Sequence, residues 1–304
     1  MALRIRIGTR RSALALWQAR YVGALIEAGA PGRFAVELVE LTTRGDGFLA
    51  GPLPEGGGKG LFTRELEEAL LASSIDLAVH SLKDLPAELA AGLSLAAPPP
   101  RADPRDALCT ANGLTLAQLP PGARLGTSSL RRTVQLRALR PDLRIVPLRG
   151  NVPTRLARLT GTELDGIVLA AAGLLRLGLG SQTSELFDPH ILVPAVGQGI
   201  LGLQHREGDA SLQEALAPLA DARTQACAEA ERSLLATLGV GCTVPMGAHA
   251  WWDGELLQFE ALLVDPASGA QQRVTGSDHP SRAAALGRRL GAELLEGPLA
   301  HAIG

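Results

Sequence analysis

The chain has 304 residues, 46% of them hydrophobic, with 29 basic and 31 acidic side chains and a formal net charge of −2. That is enough apolar material for two or three buried cores, and the near-neutral balance excludes a global attraction for nucleic acid or an anionic membrane surface. Met1 to Arg6 alternates apolar with charged residues instead of building a signal-peptide core, and the longest apolar run, Ile167 to Leu175, is about half of the ~20 residues a membrane span requires, so a cytoplasmic protein without a membrane partner is expected.

Short apolar runs alternate with helical periodicity through the first two-thirds of the chain, the pattern of α/β layers with largely parallel sheets. Arg4 to Gly8 predicts a strand, and Ser12 caps an apolar-periodic helix through Glu27. Ala35 to Leu41 is the next strand. Seven glycines and two prolines between Gly45 and Gly60 predict a mobile loop, after which Thr63 is placed to cap a helix. Ile75 to His80 predicts an apolar strand that delivers Ser81-Leu82-Lys83-Asp84 to a strand C-terminus, where α/β sheets present functional groups. Pro98 to Pro104 is a stiff, polar connection and a candidate domain boundary.

Beyond it, Arg124 to Gly126 reads as a strand and Thr127-Ser128-Ser129 opens a helix running to Arg140. Arg144 to Leu148, a helix from Thr154, and Gly166 to Ala170 continue the alternation. Pro194 to Gly199 is a turn-rich crossover suited to returning the chain to the first unit. Asp221 to Leu238 predicts a long helix closed by Gly239-Val240-Gly241. Strand-like runs at Thr243 to Ala250, Leu256 to Val264 and Gln272 to Thr275, with a last helix from Pro280, predict a small α+β domain.

Three features carry chemistry. Between Arg124 and Arg158 lie nine arginines and one acid, Asp142, a local formal charge of +8. About half of these are expected to be ordinary solvated charges. A nucleic-acid patch is disfavoured because the segment has no aromatic residue for base stacking. A pocket for small polyanions fits better, since Thr127-Ser128-Ser129 sets hydroxyls and free N–H groups at a helix N-terminus. Arg131 and Arg132 follow, Arg149 and Arg155 flank Gly150-Asn151, and guanidinium forks bind carboxylates bidentately. Thr9-Arg10-Arg11-Ser12 repeats the design in the first unit.

Asp84, at a strand end beside Lys83, is the acid/base candidate, although an aspartate in a turn is commonly only a turn residue. Only two lysines, Lys59 and Lys83, occur in the chain. Of three cysteines at irregular spacing, Cys109 and Cys227 read as small core residues. Cys242, between Gly241 and Pro245, reads as an exposed loop thiol. No CxxC pair or HxxxH spacing supports a disulfide framework or a metal site.

Eight segments in order resemble the hydroxymethylbilane synthase (porphobilinogen deaminase) family. They are Gly8-Thr9-Arg10-Arg11-Ser12 running on to Gln18, Thr43-Arg44-Gly45-Asp46, Gly57-Gly58-Lys59-Gly60-Leu61-Phe62, Ala78-Val79-His80-Ser81-Leu82-Lys83-Asp84, Gly126-Thr127-Ser128-Ser129-Leu130-Arg131-Arg132, Leu148-Arg149-Gly150-Asn151, Pro194-Ala195-Val196-Gly197-Gln198-Gly199, and Glu231-Arg232 through Gly241-Cys242-Thr243-Val244-Pro245. Each is weak alone; their order across most of the chain is specific.

The resemblance implies a transferase that carries a dipyrromethane cofactor through a thioether at Cys242, with Asp84 the catalytic carboxylate assisted by Lys83. It implies that Arg10, Ser12, Lys83, Ser129, Arg131, Arg132, Arg149 and Arg155 bind acetate and propionate groups of cofactor and substrate, with Thr127, Ser128, Asn151, Ala170 and Gln198 in the same set. Lys59 and Phe62 would belong to a mobile loop. The substrate would be porphobilinogen, four molecules of which lose ammonia and condense into linear hydroxymethylbilane; each would pass through a methylene-pyrroleninium cation that Asp84 stabilises.

The expected fold is two periplasmic-binding-protein-like α/β domains with mixed, largely parallel sheets plus a small α+β C-terminal domain. Expected bounds are 1–98 with 199–219, 104–194, and 221–304, in a monomer that uses neither metal nor nucleic acid. A non-catalytic two-lobed anion-binding or sensor protein is the alternative that the first two domains equally fit.

Overall fold

A computed structural model describes residues 2–42, 63–161, 163–239 and 244–303. The expected mobile loop, with Lys59 and Phe62, and the cysteine loop, with Cys242, lie outside these residues.

In chain order the elements begin with β1 (Leu3–Arg10), α1 (Ala13–Gly29), β2 (Phe34–Leu41), α2 (Arg64–Leu71), β3 (Leu77–Ser81) and β4 (Leu93–Ala96). Next come β5 (Asp106–Cys109), β6 (Arg124–Gly126), α3 (Leu130–Leu139), β7 (Arg144–Val146), α4 (Val152–Leu156), β8 (Gly166–Ala170), α5 (Ala171–Arg176) and β9 (Glu185–Leu186). Then follow β10 (Leu201–Arg206), α6 (Ala210–Leu216), α7 (Ala222–Leu238), β11 (Met246–Asp253), β12 (Leu256–Val264), β13 (Gln271–Asp278) and α8 (Ala283–Glu296). Among the described residues no helix is long and apolar enough to cross a membrane.

The chain divides into two compact units, one of residues 1–101 and 200–225, the other of 102–199 and 226–304. In the first, a five-stranded sheet has the order β2-β1-β3-β10-β4. β1 is parallel to β2 and β3, whereas β10 is antiparallel to both β3 and β4, so one strand of five runs against the rest. The sheet of the second unit, β7-β6-β8-β5-β9, repeats this topology with β5 in the reversed position. In both cases the reversed strand is the first one after the chain passes from one unit to the other, β5 after residue 101 and β10 after residue 199. The two α/β domains with mixed, largely parallel sheets are thus as expected, and the antiparallel β11-β12-β13 sheet with α7 and α8 forms the small C-terminal α+β part.

Local chemistry explains the elements. Ser12 accepts a hydrogen bond from Ala15 N and caps α1, whose Ala15, Ala19, Val22 and Ile26 recur at helical spacing and are buried. Ala19, Val22 and Ile26 pack on Ile5, Ile7, Leu77, Val79 and Leu203 of the sheet, each large aliphatic side chain contributing roughly 1.5–3 kcal/mol on burial. The other face is covered by Leu66, Leu70 and Ile75. β7 stops at Val146, two residues short of the expectation, because Pro147 has no N–H for the ladder. The helix expected from Thr154 begins at Val152, since Asn151 accepts from Thr154 N and caps it.

The C-terminal part packs within the second unit. Val134, Val193, Leu262 and Val264 form a buried cluster, and Ala248 N donates to Pro194 O at 2.8 Å. At Gly199 the backbone has φ +87°, and a Cβ there would stand 2.4 Å from Ala102 O. Only glycine fits this return point, where Ala102 N and Arg176 Nη2 both donate to Gly199 O, at 3.1 and 2.8 Å.

Candidate functional site

In the first unit the parallel register of β1 and β3 pairs Gly8 with Ala78. Their C-terminal ends therefore emerge side by side, Arg10 from one and His80-Ser81 from the other. A turn over Leu82–Asp84 follows, with Leu82 and Leu85 buried on either side of it. Those two anchors present Asp84 outward, exposed, with Lys83 half-buried. A pocket of about 60 Å³ opens here, lined by Arg10, Ser12, Leu14, Ala15, Gln18, Thr63, Leu66, Val79, His80, Ser81 and Asp84. It has room for a carboxylate group or a few waters.

The hydrogen bonds around this pocket determine what it offers. Ser12 Oγ accepts from Ala15 N at 3.3 Å, and Ser81 Oγ accepts from Gln18 Nε2 at 2.9 Å. Each hydroxyl oxygen is thereby engaged while its proton stays available to a ligand. His80 is buried, with Nε2 3.0 Å from Gln204 Oε1, and Gln204 Nε2 donates to Glu67 Oε1 at 3.0 Å. Because the amide nitrogen is spent on Glu67, the amide oxygen faces the ring, so Nε2 carries the proton and Nδ1 is an acceptor. Burial, against the Gln204 hydrogen bond and with the Arg10 charge, pushes the His80 pKa down to about 4. The ring is neutral at physiological pH.

In the second unit the arginine-rich segment is less free than its sequence suggests. Arg131 and Arg132, the second and third residues of α3, are 5% and 6% exposed. Both converge on Asp106, which is fully buried at the start of β5. Arg131 Nη1 stands 2.8 Å from Asp106 Oδ2 and donates to Val193 O at 2.7 Å. Arg132 Nε and Nη2 reach Asp106 Oδ1 at 3.1 and 2.7 Å, and its Nη1 donates to Val168 O at 3.0 Å. Gln198 Nε2 adds donations to Asp106 Oδ1 at 3.0 Å and Pro104 O at 2.7 Å. Burial alone would raise the Asp106 carboxyl; the two guanidinium charges outweigh it and hold the group well below the usual carboxylate range. One anion thus faces two cations and the positive end of α3, which leaves the cluster net cationic.

The remaining expected residues divide by what they touch. Thr127 Oγ1 accepts from Ser129 N at 3.2 Å, and Ser129 Oγ from Arg132 N at 3.4 Å. Ser128 Oγ both donates to Leu148 O and accepts from Leu148 N, at 3.0 and 2.9 Å, so it ties β6 to the strand end beside it. Arg155 Nε donates to Gly150 O at 2.7 Å, while Arg149 and Asn151 are exposed. Ala170 pairs in register with Asp106. Of the nominally surplus arginines, Arg140 is matched by Asp142 at 2.7 Å and Arg158 by Glu163 at 4.0 Å. Arg137 and Arg144 are exposed, as ordinary surface charges.

Sequence reasoning missed Asp106 and Gln204, and gave Ser81 and Gln18 only as parts of longer segments. Nothing local distinguishes Asp106 or Gln204, since Asp106 meets its arginines across some 25 residues of sequence and Gln204 meets His80 from the distant strand β10. Cys109 and Cys227 are buried, the core positions expected of them. Among the described residues no cluster of three His, Cys, Asp or Glu side chains could hold a metal ion.

Donors and an exposed carboxylate thus stand at strand C-terminal ends of an α/β protein, where such sheets present functional groups. Residues 5–214 match the family profile described as porphobilinogen deaminase, dipyromethane cofactor binding domain, and residues 225–296 match the porphobilinogen deaminase C-terminal domain. The chain belongs to the porphobilinogen deaminase family. It is 50% identical over 291 residues to the porphobilinogen deaminase of Syntrophotalea carbinolica, covering 96% of this chain and 92% of that one. It is likewise 48% identical over 301 residues to that of Sorangium cellulosum, covering 98% and 100%. Among solved structures it is similar to immunogenic lipoprotein A of Vibrio vulnificus, at 14% identity and a TM-score of 0.44 over 71% of this chain and 94% of that one.

Proposed function

We propose that this chain is a hydroxymethylbilane synthase, a cytoplasmic monomer that joins four porphobilinogen molecules head to tail with loss of ammonia and releases the linear tetrapyrrole. Family membership at about half identity over nearly the whole chain carries the reading. Each unit by itself carries donors suited to carboxylates: Arg10, Ser12 and Ser81 line the first unit's pocket, and the second unit has the net-cationic Asp106 cluster. Bound by a thioether at Cys242, a dipyrromethane would supply the free α-carbon onto which the first pyrrole is joined, each added unit then offering its own α-carbon to the next.

The chain's own residues then have distinct tasks. Asp84, exposed at the pocket, places a carboxylate where positive charge develops on the substrate pyrrole as its amino group departs, and it can hold the proton in transit. Neutral His80 offers a hydrogen-bond acceptor without adding a competing positive charge. The guanidinium, ammonium and hydroxyl groups of Arg10, Ser12, Lys83, Ser129, Arg131, Arg132, Arg149 and Arg155 hold acetate and propionate groups, with Thr127, Ser128, Asn151 and Gln198 shaping the backbone that presents them.

Intact-protein mass spectrometry tests this directly. The expected spectrum carries an adduct of two pyrrole units that disappears in Cys242→Ser, together with hydroxymethylbilane formation from porphobilinogen by the unaltered chain. A bare polypeptide mass with no turnover would instead support a non-catalytic anion-binding protein.

A further inference from the structure

Thr63 precedes the first residue of α2 and would ordinarily cap it, as the sequence suggests. Its side chain makes no capping hydrogen bond. Thr63 is 1% exposed, and its Oγ1 has no hydrogen-bond partner among the described residues. A buried hydroxyl left unsatisfied is costly, and native proteins keep few of them without a use. This one belongs to a residue in the wall of the pocket that also holds Arg10, Ser12, Ser81 and Asp84.

The neighbours indicate what it awaits. Ser12 and Ser81 each accept a hydrogen bond from the protein, which leaves their protons for a ligand, and Arg10 adds a cation. Three donors at one wall call for an acceptor with more than one lone-pair site, and a carboxylate supplies it. We propose that Thr63 is a further ligand-binding residue, its hydroxyl donating to a carboxylate oxygen of the pyrrole held in this pocket. The inference rests on the reading of the chain as a hydroxymethylbilane synthase and adds to it a residue outside the motif set.

Replacing the hydroxyl by a methyl group separates this role from a structural one because the two effects have opposite signs. In Thr63→Val the empty protein loses an unsatisfied polar atom, so its melting midpoint should hold or rise. Its carboxylate ligand loses a hydrogen bond, so the KM for porphobilinogen should rise about tenfold, or primer occupancy by intact mass should fall, with kcat little changed. Thr63→Ser should restore the unaltered values. A KM within about twofold of the unaltered chain and unchanged occupancy, or a lowered melting midpoint that reveals a protein partner for the hydroxyl, overturns the inference. An unaltered chain that does not convert porphobilinogen sinks the family reading and this inference together, whereas an active one with an unaffected Thr63→Val sinks only this inference.

Discussion

Arg132 clasps Asp106 through two hydrogen bonds to a single carboxylate oxygen, Nε at 3.1 Å and Nη2 at 2.7 Å, with both side chains sealed from solvent. Arg131 shares the same carboxylate. A buried charge cluster of this kind is strained less by its presence than by its disruption, because removing one partner strands the others.

Asp106→Asn should therefore destabilise the protein by about 3–5 kcal/mol, visible as a lower melting midpoint at neutral pH. Because the folded carboxyl is held below its unfolded value, its contribution is complete above about pH 4 and is lost only as the pH falls through the folded value. A melting midpoint within a degree or two of the unaltered protein would mean that Arg131 and Arg132 do not depend on Asp106 for their charge balance.

His80 gives stability a dependence on mild acid. The folded ring has its pKa lowered to about 4, against 6.5 in the ordinary state, so between these values the unfolded chain binds a proton that the folded chain refuses. Stability thus rises with pH across that window and is complete above it. Urea unfolding at pH 5 should show about 2 kcal/mol less from this group than at pH 7.5. His80→Gln should flatten that difference, and an unchanged slope would remove His80 as its source.

Asp84 is exposed, and its backbone is fixed by the buried Leu82 and Leu85. Truncating it should leave the fold within about 0.5 kcal/mol of the original. Asp84→Ala should nevertheless lower hydroxymethylbilane formation by roughly a hundredfold or more, with Asp84→Glu retaining weak turnover. Near-normal product formation by Asp84→Ala would take this carboxylate out of the chemistry.

How much was legible beforehand depended on the range of each interaction. Ser12 as a helix cap, the helix opened by Thr127-Ser128-Ser129, the strands Arg124–Gly126, Gly166–Ala170 and Leu256–Val264, and the inward face of α1 follow from residues within a few positions of one another. The insertion of β10 between β3 and β4, and of β5 between β8 and β9, did not, because an apolar run carries no mark of which neighbours it will pair with. Thr63 shows the same limit at one residue. Its position signals a cap, but in the folded protein its hydroxyl makes no capping hydrogen bond.

The amino-acid sequence by itself determined the alternation of strands and helices, the family motifs and the concentration of arginine between positions 124 and 158, since all of these reside in residue type and spacing. Only the tertiary structure decided the charge of that segment, drawing two arginines onto a carboxylate from outside it, and the protonation of His80, through a glutamine and a glutamate from other elements. Electrostatic energy depends on separation in space and on burial, and neither quantity is written along the chain.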